Sequence, residues 1–165
     1  MRKVIIIIDG YNLIRRTPAL LDIEARGLEA GREALLDRLF LYKGGRQDDI
    51  TVVFDGPGSR GYWARGGIRV QFAPSADAAV VALAGPGTLV VSSDLEVQVG
   101  ARRRGARTQG SDEFWQQVKA AIVGRRYRRS QCPRPAFHGT WDKADWDEDD
   151  EESSYQKQKH RKRRR

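Results

Sequence analysis

The sequence predicts an α/β fold built on a mostly parallel central sheet of about five strands. Short runs rich in β-branched residues recur between residues 3 and 108, stretches of helical periodicity separate them, and several of the runs end in a turn that carries an aspartate. Strands alternating with helices argue for βαβ units. Right-handed crossovers then bring all the strand C-termini to one edge of the sheet.

Residues 3–8, KVIIII, form a continuous apolar run, the pattern of a strand covered on both faces. The run breaks at Asp9-Gly10-Tyr11-Asn12, where glycine permits a tight turn and the polar residues engage the backbone. Residues 28–42 place Leu28, Ala34, Leu35, Leu39 and Tyr42 largely on one helical face, and Gly44-Gly45 stops that helix. ITVVF at 50–54 is the second strand, leading into Asp55-Gly56-Pro57-Gly58, and IRVQF at 68–72 is a third. SADAAVVALA at 75–84 reads as a short helix capped by Ser75. A strand over 88–92 closes on Ser93 and Asp94, followed by a helix at 95–104 and a short strand at 105–108. The last helix, 111–123, takes Ser111 as its cap, with Asp112 and Glu113 complementing the helix dipole.

Past residue 123 no apolar face persists. The reading is therefore a folded domain at 1–123 and a charged tail at 124–165 without a packed core. The net charge is +8 and the sequence pI about 10.0, which favours a polyanionic partner. Basic residues number 17 against 14 acidic in 1–123, 5 against 0 in 124–141, 1 against 8 in 142–156 and 7 against 0 in 157–165. Most of the net positive charge thus lies in the tail, which could bind RNA or the ribosome electrostatically. Cys132 is the single cysteine, so an intrachain disulfide and a cysteine-rich zinc site are excluded. The apolar run at the N-terminus is too short for a signal-peptide core or a membrane span, and a cytoplasmic protein with no membrane partner is the expectation.

Four aspartates, Asp9, Asp55, Asp77 and Asp94, follow strands or open the next helix. Carboxylates converging on one sheet edge suit hard cations, Mg²⁺ or Mn²⁺, and such a site can meet a phosphodiester. Asp9, Asp77 and Asp94 are the candidate metal ligands, and Asp55 is a further ligand or a support. Taken singly, each is more often an ordinary cap or turn residue than a ligand. The four together make the chain a candidate metal-dependent nuclease.

The segments VIIIIDGYN, VVFDG, SADAAV and VVSSD, in this order and spacing, resemble the YacP-like NYN domains of the PIN-like nuclease superfamily across residues 3–123. DGYN after an apolar strand is the most specific element. The resemblance implies a PIN-like three-layer α/β/α sandwich, an acidic site for Mg²⁺ or Mn²⁺, and hydrolysis of single-stranded RNA, with ribosome association in some relatives. By position it assigns Asp9, Asp77 and Asp94 to the acidic motifs, Asp55 to the VVFD motif, and Asn12 and Ser93 to polar places that orient ligands or phosphate. One departure stands out. Relatives often carry a second acid after the third-motif aspartate, whereas Asp77 is followed by Ala78 and Ala79. Glu96 could compensate, although one turn into a helix it also reads as a solvated surface residue. An RNA- or ribosome-binding module with a weakened site is accordingly the competing reading. A DNA-directed 5′ nuclease, a third, would need extra DNA-clamping segments.

Cationic and aromatic residues near the aspartates are candidate RNA contacts: Arg60, Tyr62, Trp63 and Arg65 in the loop after Asp55, Arg102, Arg103 and Arg104 after Asp94, and Arg15 and Arg16 after DGYN. GPGSRG at 56–61 matches a dinucleotide-binding pattern, but no helix opens after it. His138 and His160 both lie in the tail, which argues against a histidine-pair ribonuclease or a Ser-His-Asp triad.

Overall fold

The computed structural model describes residues 3–56, 63–65 and 67–131, with the side chains of 63–65 and 126–131 outside that description. The elements run β1 (Ile5–Asp9), α1 (Gly10–Arg15), α2 (Pro18–Glu24), α3 (Leu28–Lys43), β2 (Asp49–Asp55), β3 (Trp63–Arg65), β4 (Ile68–Ala73), α4 (Ala76–Leu83), β5 (Thr88–Val91), α5 (Leu95–Arg103), β6 (Arg107–Gln109) and α6 (Ser111–Gln131).

One sheet has the order β3-β4-β2-β1-β5-β6. The five strands β4, β2, β1, β5 and β6 are mutually parallel, and β3 adds an antiparallel edge against β4. The mixed α/β architecture expected from the sequence is therefore present, with a short hairpin strand where an irregular loop was expected. Alternation along β1 feeds two cores. Ile6 and Ile8 pack with Leu35, Leu39, Phe114 and Val118 from α3 and α6 on one face. Ile7 packs with Val80 of α4 and with Val97 and Ala101 of α5 on the other. The apolar run at 3–8 was legible for this reason: both its faces are covered.

Helices α1 and α2 had no counterpart in the sequence reading. At six and seven residues they are shorter than two turns, too short for a 3.6-residue period to show. Pro18 opens α2, where its missing N–H costs nothing. Ser75 does cap α4, its hydroxyl accepting from the Ala78 N–H at 3.2 Å. Gly44 ends α3 at φ 36°, a left-handed conformation that favours glycine. The last helix continues beyond residue 123 to Gln131, and Arg125 donates to the Leu41 and Lys43 carbonyls at 2.9 and 3.2 Å. That guanidinium satisfies carbonyls orphaned at the C-terminus of α3. Among the described residues, no helix is long and apolar enough to cross a membrane.

Candidate active site

The chain moves from β1 through β2 to β4 on one side of the sheet, then crosses back to β5 and β6 on the other. Strand order therefore reverses at β1, and ligands in open α/β sheets bind beyond the strand C-termini at such a point. Asp9 is the last residue of β1, Asp55 the last of β2, and Asp94 follows β5 as the N-cap of α5.

Each of these three carboxylates is fixed by backbone amides. Asp9 Oδ1 accepts from the Asn12 N–H at 3.3 Å and caps α1. Asp55 Oδ1 accepts from the Ala76 N–H at 2.7 Å, which ties the end of β2 to the start of α4. Asp94 Oδ1 accepts from the Glu96 and Val97 N–H groups at 2.8 and 3.1 Å. Asp77 lies in the first turn of α4, where Ser75 already serves as cap. Gly10 begins α1 directly under the Phe54 ring. A Cβ there would stand under 3.0 Å from three ring carbons, so glycine is needed for close approach rather than for an unusual φ.

Asp9 is only 4% exposed. Burial raises its proton affinity, and the neighbouring carboxylates of Asp77, within hydrogen-bond reach, and of Asp55 raise it further against the Asn12 amide that lowers it; the result is a pKa of about 6, up from 3.8. Asp77 and Asp55 are thus near enough for their charges to act on Asp9. Asp94 is not among the groups Asp9 senses, and its Oδ1 is committed to α5. Among the described residues, no three His, Cys, Asp or Glu side chains form a ready-made metal-binding group.

Asn12 is a hub. Its Oδ1 accepts from the Ser93 N–H at 2.9 Å and from the Ser111 hydroxyl at 2.8 Å, while Ser93 Oγ accepts from the Ser111 N–H at 3.0 Å. Asn12 and Ser93 thus hold the openings of α1, α5 and α6 together at the active edge. The hydroxyl of Ser111, expected to cap α6, is used on Asn12, and Ser111 is itself the first helical residue. The roles of three further residues, Ser92, Gln98 and Arg32, escaped the sequence reading. Ser92 Oγ accepts from the Asp94 N–H at 3.1 Å, and Gln98 Nε2 donates to the Ser92 carbonyl at 2.7 Å, so the turn bearing Asp94 is braced from both sides. Arg32 donates to the Tyr11 hydroxyl at 2.7 Å beside the same edge. A serine pair before Asp94 is visible in the sequence; nothing there shows that Gln98 folds back.

The candidate RNA contacts divide. Arg15 and Arg16 are exposed at the end of α1, with the Arg15 guanidinium 5.4 Å from the Tyr11 ring centroid. Arg102, Arg103 and Arg104 lie at the C-terminal end of α5, whereas Asp94 caps its N-terminus. The length of α5 separates them from that aspartate, about 13 Å at 1.5 Å per residue. Arg102 is bonded to Thr108 and Gln98, and Arg104 to the Ala84 and Ala82 carbonyls. Arg60 and Tyr62 lie outside the described residues, as do the side chains of Trp63 and Arg65.

The model of the YacP-like NYN domain matches residues 6–162. The chain belongs to that family. With it comes the PIN-like nuclease superfamily, whose role is nuclease-type and RNA-related and whose members are generally divalent-metal dependent. The crystal structure of Rae1 (YacP) from Bacillus subtilis is similar at a TM-score of 0.63 and 25% identity, covering 76% of this chain and 80% of that one. A mutant of the same protein gives a TM-score of 0.64 at 24% identity, covering 77% and 83%. In sequence, YacP of Bacillus subtilis (strain 168) is 35% identical over 51 residues, which span 31% of this chain and 30% of YacP.

Proposed function

We propose that this chain is a Mg²⁺- or Mn²⁺-dependent endoribonuclease that hydrolyses single-stranded RNA, with the ribosome as a candidate partner. The observation that carries the reading is Asp9: a carboxylate buried at the sheet's reversal point, against Asp77 and near Asp55, on a fold whose family is nuclease-type. Acids crowded this way repel one another, and the crowding has no structural return unless a cation offsets it. Their oxygens suit a hard divalent ion.

Asp9, Asp77 and Asp94 would hold the ion and Asp55 would assist. When bound, the ion would lower the pKa of a water and offset charge on the leaving oxygen. The chain's own part is positioning. The Asn12, Ser93 and Ser111 network fixes the openings of three helices, and Asp55, through the Ala76 amide, fixes the start of the helix that bears Asp77. Arg15 and Arg16 would hold RNA phosphates.

An RNA- or ribosome-binding module with a weakened site is the second reading. It is favoured by Ala78 and by the absence, among the described residues, of a ready-made group of three ligands. Labelled single-stranded RNA incubated with the full chain separates the two. Cleavage with Mn²⁺ that stops with chelator and in Asp9→Asn supports the nuclease. Cleavage that survives both refutes the proposed chemistry, and binding without cleavage supports the module.

A further inference from the structure

Beside the aspartates, α4 and α5 part to leave a groove of about 490 Å³. Asp77 and Glu96 stand on its wall, Ala78, Val81 and Val97 give it an apolar lining, and Gly100 also borders it. The groove is open to solvent, wide enough for one face of a planar ring, and its lining mixes apolar surface with a few polar groups. At Gly100 a Cβ would come within 3.0 and 3.1 Å of the Val81 methyls, so glycine lets the two helices approach closely there.

Asp77 belongs to both the groove and the carboxylate cluster, so a nucleotide adjoining the scissile phosphate has the groove within reach. Glu96 is exposed, and among the described residues its carboxylate makes no hydrogen bond or ion pair. A lone carboxylate beside an apolar slot asks for paired N–H donors. Of the four RNA bases only guanine offers a ring N–H and an amine side by side on its Watson–Crick edge. Single-stranded RNA exposes that edge, and a charged acceptor strengthens both bonds.

From this we infer that the α4–α5 groove is a subsite for a guanine base next to the cleaved bond, read by Glu96 through the guanine N1–H and N2–H groups. The inference rests on the endoribonuclease reading for where the RNA lies, and on the groove itself for what it takes. Arg104 borders the groove at the other end of α5, where its Nε and Nη2 are held by the Ala84 and Ala82 carbonyls.

Two measurements on the full chain test it. In the first, guanosine, adenosine, uridine and cytidine 5′-monophosphates are titrated into protein kept in chelator. The guanine nucleotide should bind about tenfold tighter than the other three, the discrimination a good bidentate pair supplies. Glu96→Gln should remove that preference. Ala82→Phe, which adds bulk at an exposed position lining the groove, should weaken binding. In the second, a random-sequence RNA pool is cut with Mn²⁺ and the ends are sequenced. Guanine should be enriched at one position beside the cut, and Glu96→Gln should flatten the enrichment. Equal binding of the four nucleotides, or a preference that survives Glu96→Gln, overturns the subsite. So does a Glu96→Gln variant that keeps its preference and loses Mn²⁺ affinity, since Glu96 would then be an ion ligand. A chain that prefers the guanine nucleotide but cuts no RNA sinks the nuclease reading and leaves the subsite standing.

Discussion

Replacing Asp9 by Asn removes one buried charge and keeps the geometry. Asparagine is as good an N-cap as aspartate, so the bond from the Asn12 amide survives. What goes is the cost of holding an anion that is 4% exposed, against Asp77 and near Asp55. Because the folded pKa of about 6 lies above the ordinary 3.8, the native state holds this proton more tightly than the unfolded chain does. Stability from this group is therefore fully present below pH 3.8 and is lost as pH rises to about 6. The full loss is roughly 3 kcal/mol, at 1.36 kcal/mol per pH unit. In chelator at pH 8, Asp9→Asn should thus be more stable than the parent by roughly 3 kcal/mol, and at pH 4.5 by only about 1 kcal/mol. Urea denaturation followed by circular dichroism reads this directly. At a slope of about 1.5 kcal/mol per molar, the midpoint at pH 8 should rise by about 2 M. Saturating Mn²⁺ should raise the parent's midpoint and leave the variant's nearly unchanged. A variant no more stable than the parent at pH 8, or a gain identical at the two pH values, would refute the claim that a crowded, buried charge sits at this strand end.

Three other perturbations have defined outcomes. Gly10→Ala should destabilise the fold by about 1–3 kcal/mol in the same urea assay, because the new methyl has to displace the fully buried Phe54 ring. Asn12→Ala should cost about 2 kcal/mol by leaving the Ser93 N–H and the buried Ser111 hydroxyl without their acceptor, and it should lower cleavage as well, since three helix openings lose their common anchor. Arg125→Ala should lower thermal stability by about 1 kcal/mol and leave RNA cleavage unchanged, because its two bonds go to the C-terminal end of α3.

Much of this architecture was legible because it depends on local chemistry. The run at 3–8 announces a strand covered on both faces, Ser75 announces a helix start, and Gly44 a helix end. An aspartate after each of three parallel strands needs only the crossover rule to bring the side chains to one edge. Elements whose cause lies far along the chain were not legible. Asn12 is bound by Ser93 and Ser111, which are 81 and 99 residues away in sequence. The reason for Gly10 is the Phe54 ring on the neighbouring strand. Nor was the separation of Arg102 to Arg104 from Asp94 legible: they are close in sequence, but the length of α5 lies between them.

Helix cap and metal ligand looked like rival explanations for these aspartates, and the geometry makes them compatible. Asp9, Asp55 and Asp94 each place Oδ1 on a backbone amide. A carboxylate has two oxygens, so the amide bond fixes the side chain without using up its capacity as a ligand. A metal site needs its first ligands held by further hydrogen bonds, and under the proposed reading the helix starts would provide them. Asp77 is different. It has no cap to make because Ser75 makes it, and it is the acid that meets Asp9 directly. These amide bonds hold three carboxylates at the sheet edge, the Asp55 bond to Ala76 sets the helix that brings in the fourth, and on the proposed reading the repulsion between Asp77 and Asp9 would be relieved by a cation.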